Sequence, residues 1–434
     1  MTIHATQSWR AACGALVASV SRGEAVTACV CGPKGVGKST LGRLVINTLL
    51  QHVPMVGLLD VDPGQAELTP PGLVSLTCLT TPLLSQPAVR LGCSDAPQPV
   101  EQRFIGDVSP SADPAAYAAA VRSLITAWRT THAPRTGGVL VVNTMGWIRG
   151  LGLELLCDLL RSCGPTHLLS VAEEQQQERG VPPGIFWTLP GEPMPQCTVI
   201  NLTATVLGGP QQQADVSDQP ELPAPGGSLA QVKQRTAADL RGLMWAAWCY
   251  RAATVTTDAP QPDRDELADT VWADAWAPRT GGGASATALV AEALTRAVPY
   301  SVRVSALRVL AVLSSIATQE VWHALNASIV GLGVSAPDSF VPQCLGLALV
   351  RSADPAAGTL YLLTPVPVEV AATADMLLLG KLELPTALLM AAPYSSPYVT
   401  LGALSGADAA GGGAMRSRNN LQRGKRGGRP QQVP

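Results

Sequence analysis

An apolar run, AVTACVC at Ala25–Cys31, halts at a glycine-rich turn, Gly32-Pro33-Lys34-Gly35-Val36-Gly37-Lys38-Ser39, and a helix-patterned stretch follows at once. In that stretch, Ser39–Leu50, apolar residues recur at Leu41, Leu44, Val45 and Leu49, the spacing of one helical face. The run before it, uncharged and bounded by glycines, reads as a buried parallel strand. Met55–Val61, Val139–Val142 and His167–Val171 read as further strands, separated by helices at Pro114–Arg129 and Leu151–Arg161. On the second helix Leu151, Leu155, Leu156 and Leu159 share one side, and Glu154, Asp158 and Arg161 the other. Alternating strands and helices point to an α/β fold with a doubly wound, mainly parallel sheet of the P-loop NTPase type.

The turn fits GxxxxGK[ST], and its chemistry explains the spacing. Glycines let successive backbone N–H groups point inward around a triphosphate, and the helix N-terminus adds its positive dipole end. Gly32, Pro33, Lys34, Gly35, Val36, Gly37, Lys38, Ser39 and Thr40 are therefore the expected nucleotide-binding residues. Lys38 would reach the β- and γ-phosphates, and the Ser39 hydroxyl would ligate Mg²⁺. The competing reading is a strand–helix turn with no ligand. Lys34 stands one residue later than the extra lysine of ATPases that dimerise across their nucleotide, and no NKxD tetrapeptide occurs. Both facts argue against a dimerising ATPase or a GTPase.

Length suggests two or three domains at about 150 residues each, and 47% apolar residues suffice for a substantial core. Lys+Arg 30 against Asp+Glu 32 leaves a net charge of −2, which excludes a wholly basic nucleic-acid binder but not a local basic patch. The ten cysteines fall mostly inside apolar runs without CxxC pairs, as buried free thiols in a reducing compartment would. Uncharged segments such as Thr69–Val89 are broken by Pro, Gln and Thr, so no membrane partner is expected. Residues 1–23 read as an N-terminal helix, amphipathic over Ser8–Val20, although Arg10 and Arg22 without an acid also suit an organelle transit peptide. Residues 24–257 form the expected α/β domain, with a flexible loop at 208–230, and 258–285 a linker. Residues 286–403 form a β-rich C-terminal domain, and 404–434 a basic Gly/Arg-rich disordered tail. Arg416, Arg418, Arg423, Lys425, Arg426 and Arg429 in that tail would contact phosphates or serve as a nuclear address, or merely solubilise the terminus.

Met55–Val61 delivers Asp60 and Asp62 just before a Pro63-Gly64 turn. Acids at i and i+2 on a strand point the same way, so both could face a cleft at the carboxyl edge of the sheet, where open α/β sheets bind ligands. Asp60 could equally cap the turn.

Three blocks carry a resemblance: DVDPGQAELTPPGLVSLT from Asp60, FIGDVSPSADPAAY at Phe104–Tyr117, and VVNTMGWIRGLGLELL at Val141–Leu156. They resemble the nucleolar polynucleotide 5′-hydroxyl-kinase family of pre-rRNA processing, related to the RNA 5′-kinase of the pre-mRNA cleavage and tRNA-splicing machinery. The likeness continues through Pro165–Leu169, the helix around Arg235–Tyr250, and LNASIVGLGV, LGLALVRSAD and LYLLTPVP, covering most of residues 8–401. It implies an ATP-dependent kinase acting on RNA with a 5′-hydroxyl end, in the nucleolus, beside a partner endonuclease of spacer cleavage. Asp62 matches the family carboxylate that activates the hydroxyl and helps hold Mg²⁺, with Asp60 beside it and Gln65 on the RNA. Thr144-Met145-Gly146-Trp147 matches a clasp that contacts the phosphate-loop lysine and the RNA end, Trp147 stacking on the terminal base. Arg235 and Arg241 match lid arginines that would cover the γ-phosphate.

The phosphate loop departs from the family's Asn-Ser, having Gly35-Val36 there. Relatives also carry an N-terminal β-rich domain, whereas this chain starts almost at the kinase core, through loss in the lineage or a truncated start. Two rival functions remain at this level: a nucleotide-dependent assembly switch, and a catalytically weak scaffold for a nuclease.

Overall fold

A computed structural model describes residues 5–93, 95–173, 180–204, 236–255, 286–313, 315–317, 320–335, 341–385 and 388–389. The expected loop at 208–230, the linker at 258–285, the tail at 404–434 and Arg235 lie outside them.

The first sheet is built from β1 (Val26–Cys31), β2 (Val56–Asp60), β3 (Leu73–Leu79), β4 (Glu101–Phe104), β5 (Val139–Asn143), β6 (His167–Ala172) and β7 (Thr198–Thr203). Its order is β4-β3-β2-β5-β1-β6-β7. The strands from β2 to β7 in that order run parallel, while β3 and β4 extend the edge antiparallel. Alternation decides which side chain goes where. Ala28 and Val30 of β1 face α1 (Gln7–Ser21) and α2 (Lys38–Leu49), with Trp9, Leu16, Leu41 and Ile46. Cys29 and Cys31 face the opposite layer, α4 (Pro114–Ala127) and α6 (Leu151–Cys163), with Tyr117, Leu124 and Leu160. Each such fully buried large side chain contributes about 1.5–3 kcal/mol. α3 (Pro87–Gly92) lies between β3 and β4 in the chain.

The expected helix over Pro114–Arg129 ends its α form at Ala127 and widens into a π turn at Trp128–His132, before α5 (Ala133–Thr136). Pro134 has no N–H with which to continue the α ladder. The helix expected over Ser8–Val20 is α1, tied to the sheet by Trp9 Nε1, which donates to Thr203 O at 3.0 Å.

The second sheet, β8-β12-β11-β10-β13-β9, comprises β8 (Tyr300–Arg303), β9 (Arg308–Ala311), β10 (Ile329–Val334), β11 (Gln343–Asp354), β12 (Thr359–Leu363) and β13 (Met376–Leu379). It is antiparallel except for β13 with β9. The region expected to be β-rich from residue 286 begins with a helix, α8 (Ala286–Arg296), packed with α7 (Ala237–Val255). Between these helices and the second sheet, Trp245, Trp248, Leu294, Leu347 and Leu363 join Leu73 and Phe104 of the first sheet's antiparallel edge in one core. Among the described residues every cysteine is a free thiol, and no helix is long and apolar enough to cross a membrane.

Candidate active site

The phosphate loop leaves β1 and enters α2 through Gly37, whose φ of 93° lies in the left-handed region that glycine alone adopts without strain. Gly37 O accepts from Leu41 N at 2.9 Å, so the helix begins at the loop's last glycine. Lys38 is buried, and its Nζ donates to Pro33 O across the loop at 2.8 Å. Burial lowers the Lys38 ammonium below its ordinary value, while Asp62 and the Cys31 thiol oppose that fall. Among the described residues Lys38 makes no ion pair within 4.0 Å, and a buried cation at a helix N-terminus favours a bound anion.

Asp60 and Asp62, expected to act together, have different surroundings. Asp60 is 2% exposed. Its Oδ1 accepts from Asn143 Nδ2 at 3.0 Å and Asp62 N at 3.4 Å, and its Oδ2 accepts from Glu67 N at 2.6 Å. Burial pushes this carboxyl up to about 7 despite those donors. Asp62 is only half-buried, and its Oδ1 accepts from Gly64 N at 2.9 Å and Gln65 N at 3.1 Å. Burial raises it above the usual carboxylate range, opposed by the two turn amides and by Lys38 and Lys34. Its Oδ2 has no hydrogen bond among the described residues, so one oxygen fixes the carboxylate and the other remains available. Tyr117 Oη donates to Val61 O at 2.8 Å and pins the residue between the two acids.

Thr144 and Trp147 are divided in the same way. Thr144 is buried, and its hydroxyl donates to Val30 O at 2.8 Å, locking the start of the TMGW element to the strand that carries the loop. Gly146 lies against that loop: a Cβ there would stand 2.8 Å from Lys34 Cα. Trp147 is 36% exposed. With Pro33, Lys34, Gly146, Ile148, Arg149 and Glu173 it lines a cleft of about 300 Å³ beside the loop. Gly146 and the indole cleft thus abut the phosphate loop at Lys34, and Asp62 feels Lys38 and Lys34 electrostatically, but neither Lys38 nor Asp62 lines the cleft that holds Trp147. Arg241 lies half-buried on α7 and makes no hydrogen bond or ion pair among the described residues.

Sequence reasoning missed the supports. Asn143 sits immediately before the TMGW element, and Tyr117 closes the FIGDVSPSADPAAY block, so both lay inside quoted segments. Glu67 lies in the block that starts at Asp60, but nothing local marks its role, because its partners are distant in sequence: Oε1 meets Arg43 Nε at 3.1 Å and Arg90 Nη1 at 2.9 Å. Arg43 belongs to the loop's own helix and Glu67 N holds Asp60, so this triad braces both halves of the site. Removing the charge between two arginines leaves Arg90 buried and Arg43 partly buried without their counter-ion, which costs about 3–5 kcal/mol. Glu67→Gln is therefore expected to lower the melting temperature by roughly 10 °C, and an unchanged melting curve would refute the brace.

Residues 32–181 match the family described as mRNA cleavage and polyadenylation factor CLP1 P-loop, and residues 295–385 match the NOL9-like C-terminal domain. A chain of the solved wild-type Clp1p–Pcf11p complex superposes with a TM-score of 0.55 at 12% identity, over 88% of this chain and 80% of that one, which shows a common fold. The fold is that of a P-loop kinase, whose loop takes a nucleotide. The polynucleotide 5′-hydroxyl-kinase NOL9 of Danio rerio is 29% identical over 86% of this chain, and that of Homo sapiens 27% identical over 86%. This chain spans only about half the length of those two, 48% and 51%. The polynucleotide 5′-hydroxyl-kinase NOL9 of Arabidopsis thaliana is 32% identical over 89% of this chain and 94% of its own length. On that identity and coverage, the chain belongs to the NOL9/GRC3 family of polynucleotide 5′-hydroxyl-kinases.

Proposed function

We propose that this protein transfers the γ-phosphoryl group of ATP to the 5′-hydroxyl of RNA. The observation that carries the reading is Asp62: a carboxylate held by one oxygen in a turn, open at the other, and electrostatically linked to the phosphate-loop lysine. The 5′-oxygen would attack the γ-phosphorus, its proton passing to Asp62 Oδ2, and ADP would leave as the bond to the β-phosphate oxygen breaks. The loop from Gly32 to Thr40 would hold the triphosphate, and Lys38 would swing from Pro33 O onto the β- and γ-phosphate oxygens. This is mostly positioning and charge stabilisation.

The residues present fit Mg²⁺. Among the described residues no group of three or more His, Cys, Asp and Glu forms a closed metal cage. Mg²⁺ bound with substrate phosphates needs only one or two protein oxygens besides water. The Ser39 hydroxyl, free of hydrogen bonds among the described residues, would hold it, with Asp62 helping through water so that its Oδ2 stays open to the substrate proton, whereas Asp60 has both oxygens engaged and serves as anchor. Bound there, the ion would neutralise charge between the β- and γ-phosphates. Arg235 and Arg241 belong to the proposed lid, and Gln65 and Trp147 to the RNA end. We place the reaction in pre-rRNA spacer processing in the nucleolus, after a partner endonuclease has left a 5′-hydroxyl end, as the sequence resemblance implies.

The test is incubation with γ-labelled ATP and a 5′-hydroxyl RNA oligonucleotide. Label on the oligonucleotide is expected; free phosphate alone would replace the kinase by a nucleotide-driven switch, and neither product by a scaffold. A stacking contact is worth about 1–3 kcal/mol, so Trp147→Ala should raise KM for the oligonucleotide about tenfold while KM for ATP stays put. An unchanged oligonucleotide KM would remove Trp147 from the RNA site.

A further inference from the structure

Just past its last strand, the second sheet's chain reaches the turn below the site through backbone and one side chain, Leu382. β13 ends at Leu379, and the next three residues press on the kinase sheet's antiparallel edge. A Cβ on Gly380 would overlap the carbonyl oxygen of Gly106, and one on Gly106 would stand 2.9 Å from Gly380 Cα. Lys381 N donates to Gly106 O at 2.6 Å. On the next residue, buried Leu382 closes over Gly72, where a Cβ would stand 2.5 Å from Leu382 Cδ1.

The contact continues to the carboxylate. Ile105 N and Gly106 N donate to Gly72 O at 2.9 and 3.2 Å, and Gly72 N donates to Pro63 O at 2.8 Å. Pro63 stands between Asp62 and the two amides, Gly64 N and Gln65 N, that hold Asp62 Oδ1. From the other side, a Cβ on Gly64 would stand 2.7 Å from Val108 O, in the strand-leaving segment that starts at Gly106. Three consecutive main-chain hydrogen bonds, Lys381 N to Gly106 O, Gly106 N to Gly72 O and Gly72 N to Pro63 O, therefore run from Lys381 to the turn that aims Asp62. No side chain in this path can adjust its rotamer to absorb a shift, so a displacement at Gly380 arrives at the turn nearly undiminished.

We infer that Gly380–Leu382 of the C-terminal domain is a positioning element for Asp62, setting the carboxylate's place through Gly106, Gly72 and Pro63. The inference rests on the kinase reading only for the role of Asp62. Its three residues touch neither the phosphate loop nor the indole cleft, so they should control the transfer step and not nucleotide affinity.

The experiment compares Gly380→Ala, Leu382→Ala and Leu382→Met with Leu325→Ala, which removes a buried side chain from the second sheet's opposite face. All are assayed at a temperature where melting curves show them folded. A displacement of the order of 1 Å can cost up to a hundredfold, so Gly380→Ala and Leu382→Ala should lower kcat roughly ten- to a hundredfold. KM for ATP should stay within twofold, Leu382→Met should recover most of the rate, and Leu325→Ala should keep it. In parallel, amide hydrogen exchange at Gly64 and Gln65 should quicken in Gly380→Ala and not in Leu325→Ala. Equal loss of kcat in all folded variants, or unaltered exchange at both amides, would overturn the inference. If the wild type transfers no label, the kinase reading fails, and exchange at Gly64 and Gln65 alone decides whether the brace exists.

Discussion

Lys38→Ala is expected to lower kcat for phosphoryl transfer by about a thousandfold. A unit charge about 4 Å from the transferring group is worth about 4 kcal/mol at an effective dielectric constant near 20, and each 1.36 kcal/mol is a factor of ten in rate. The fold should not suffer. Lys38 is buried with a single hydrogen bond to Pro33 O, and burial already depresses its ammonium, so the nucleotide-free protein holds this charge at a cost. Its melting temperature should therefore stay the same or rise slightly, while the rise that ATP induces in the wild type disappears. Measuring oligonucleotide labelling and free phosphate together makes the result decisive. If labelling persists in a folded Lys38→Ala protein, the phosphate loop is not where transfer occurs.

What could be read in the sequence was what local pattern determines. The strand and helix flanking the loop, expected at Ala25–Cys31 and Ser39–Leu50, form at Val26–Cys31 and Lys38–Leu49, because an apolar run, a glycine turn and a helical face specify each other locally. α6 and β6 extend the expected Leu151–Arg161 and His167–Val171 by one or two residues. Harder to see was anything set by a distant partner. β3 exists through antiparallel pairing with β2 and β4, and in the sequence Leu73–Leu79 lies in an uncharged stretch that is not read as a strand. β7, half-exposed at the sheet edge, has too weak an alternation to stand out. The helix α8 opens the region expected to be β-rich, ahead of its strands; its sequence, ATALVAEALTR, is rich in helix formers, but its packing partner α7 lies far away in the chain. In the site, the acids and the indole were legible, but the division of duty was not. Equal spacing cannot reveal that Asp60 meets Asn143 and Glu67 N while Asp62 keeps one oxygen open.

That division gives the second large prediction. Asp62→Asn keeps the oxygen that accepts from Gly64 N and Gln65 N, so the turn should survive. Burial raises the carboxyl of Asp62, which means that a neutral amide is tolerated at least as well by the fold. What the amide cannot do is take a proton, and losing a general base typically costs 10²–10⁴-fold, so kcat should fall by about that much with KM for ATP little changed. Asp60→Asn should behave in the opposite sense. There the new NH₂ faces a backbone donor whichever way it turns: in the Oδ1 place Asn143 can turn its Oδ1, unpartnered among the described residues, towards it, but Asp62 N loses its acceptor, and in the Oδ2 place Glu67 N does; a buried donor left without an acceptor costs about 1–3 kcal/mol. Asp60→Asn should therefore lower the melting temperature, whereas Asp62→Asn should leave it in place and stop transfer. If instead Asp62→Asn transfers at the wild-type rate, the proton goes elsewhere, and a kinase mechanism centred on this carboxylate is wrong even if the loop binds ATP.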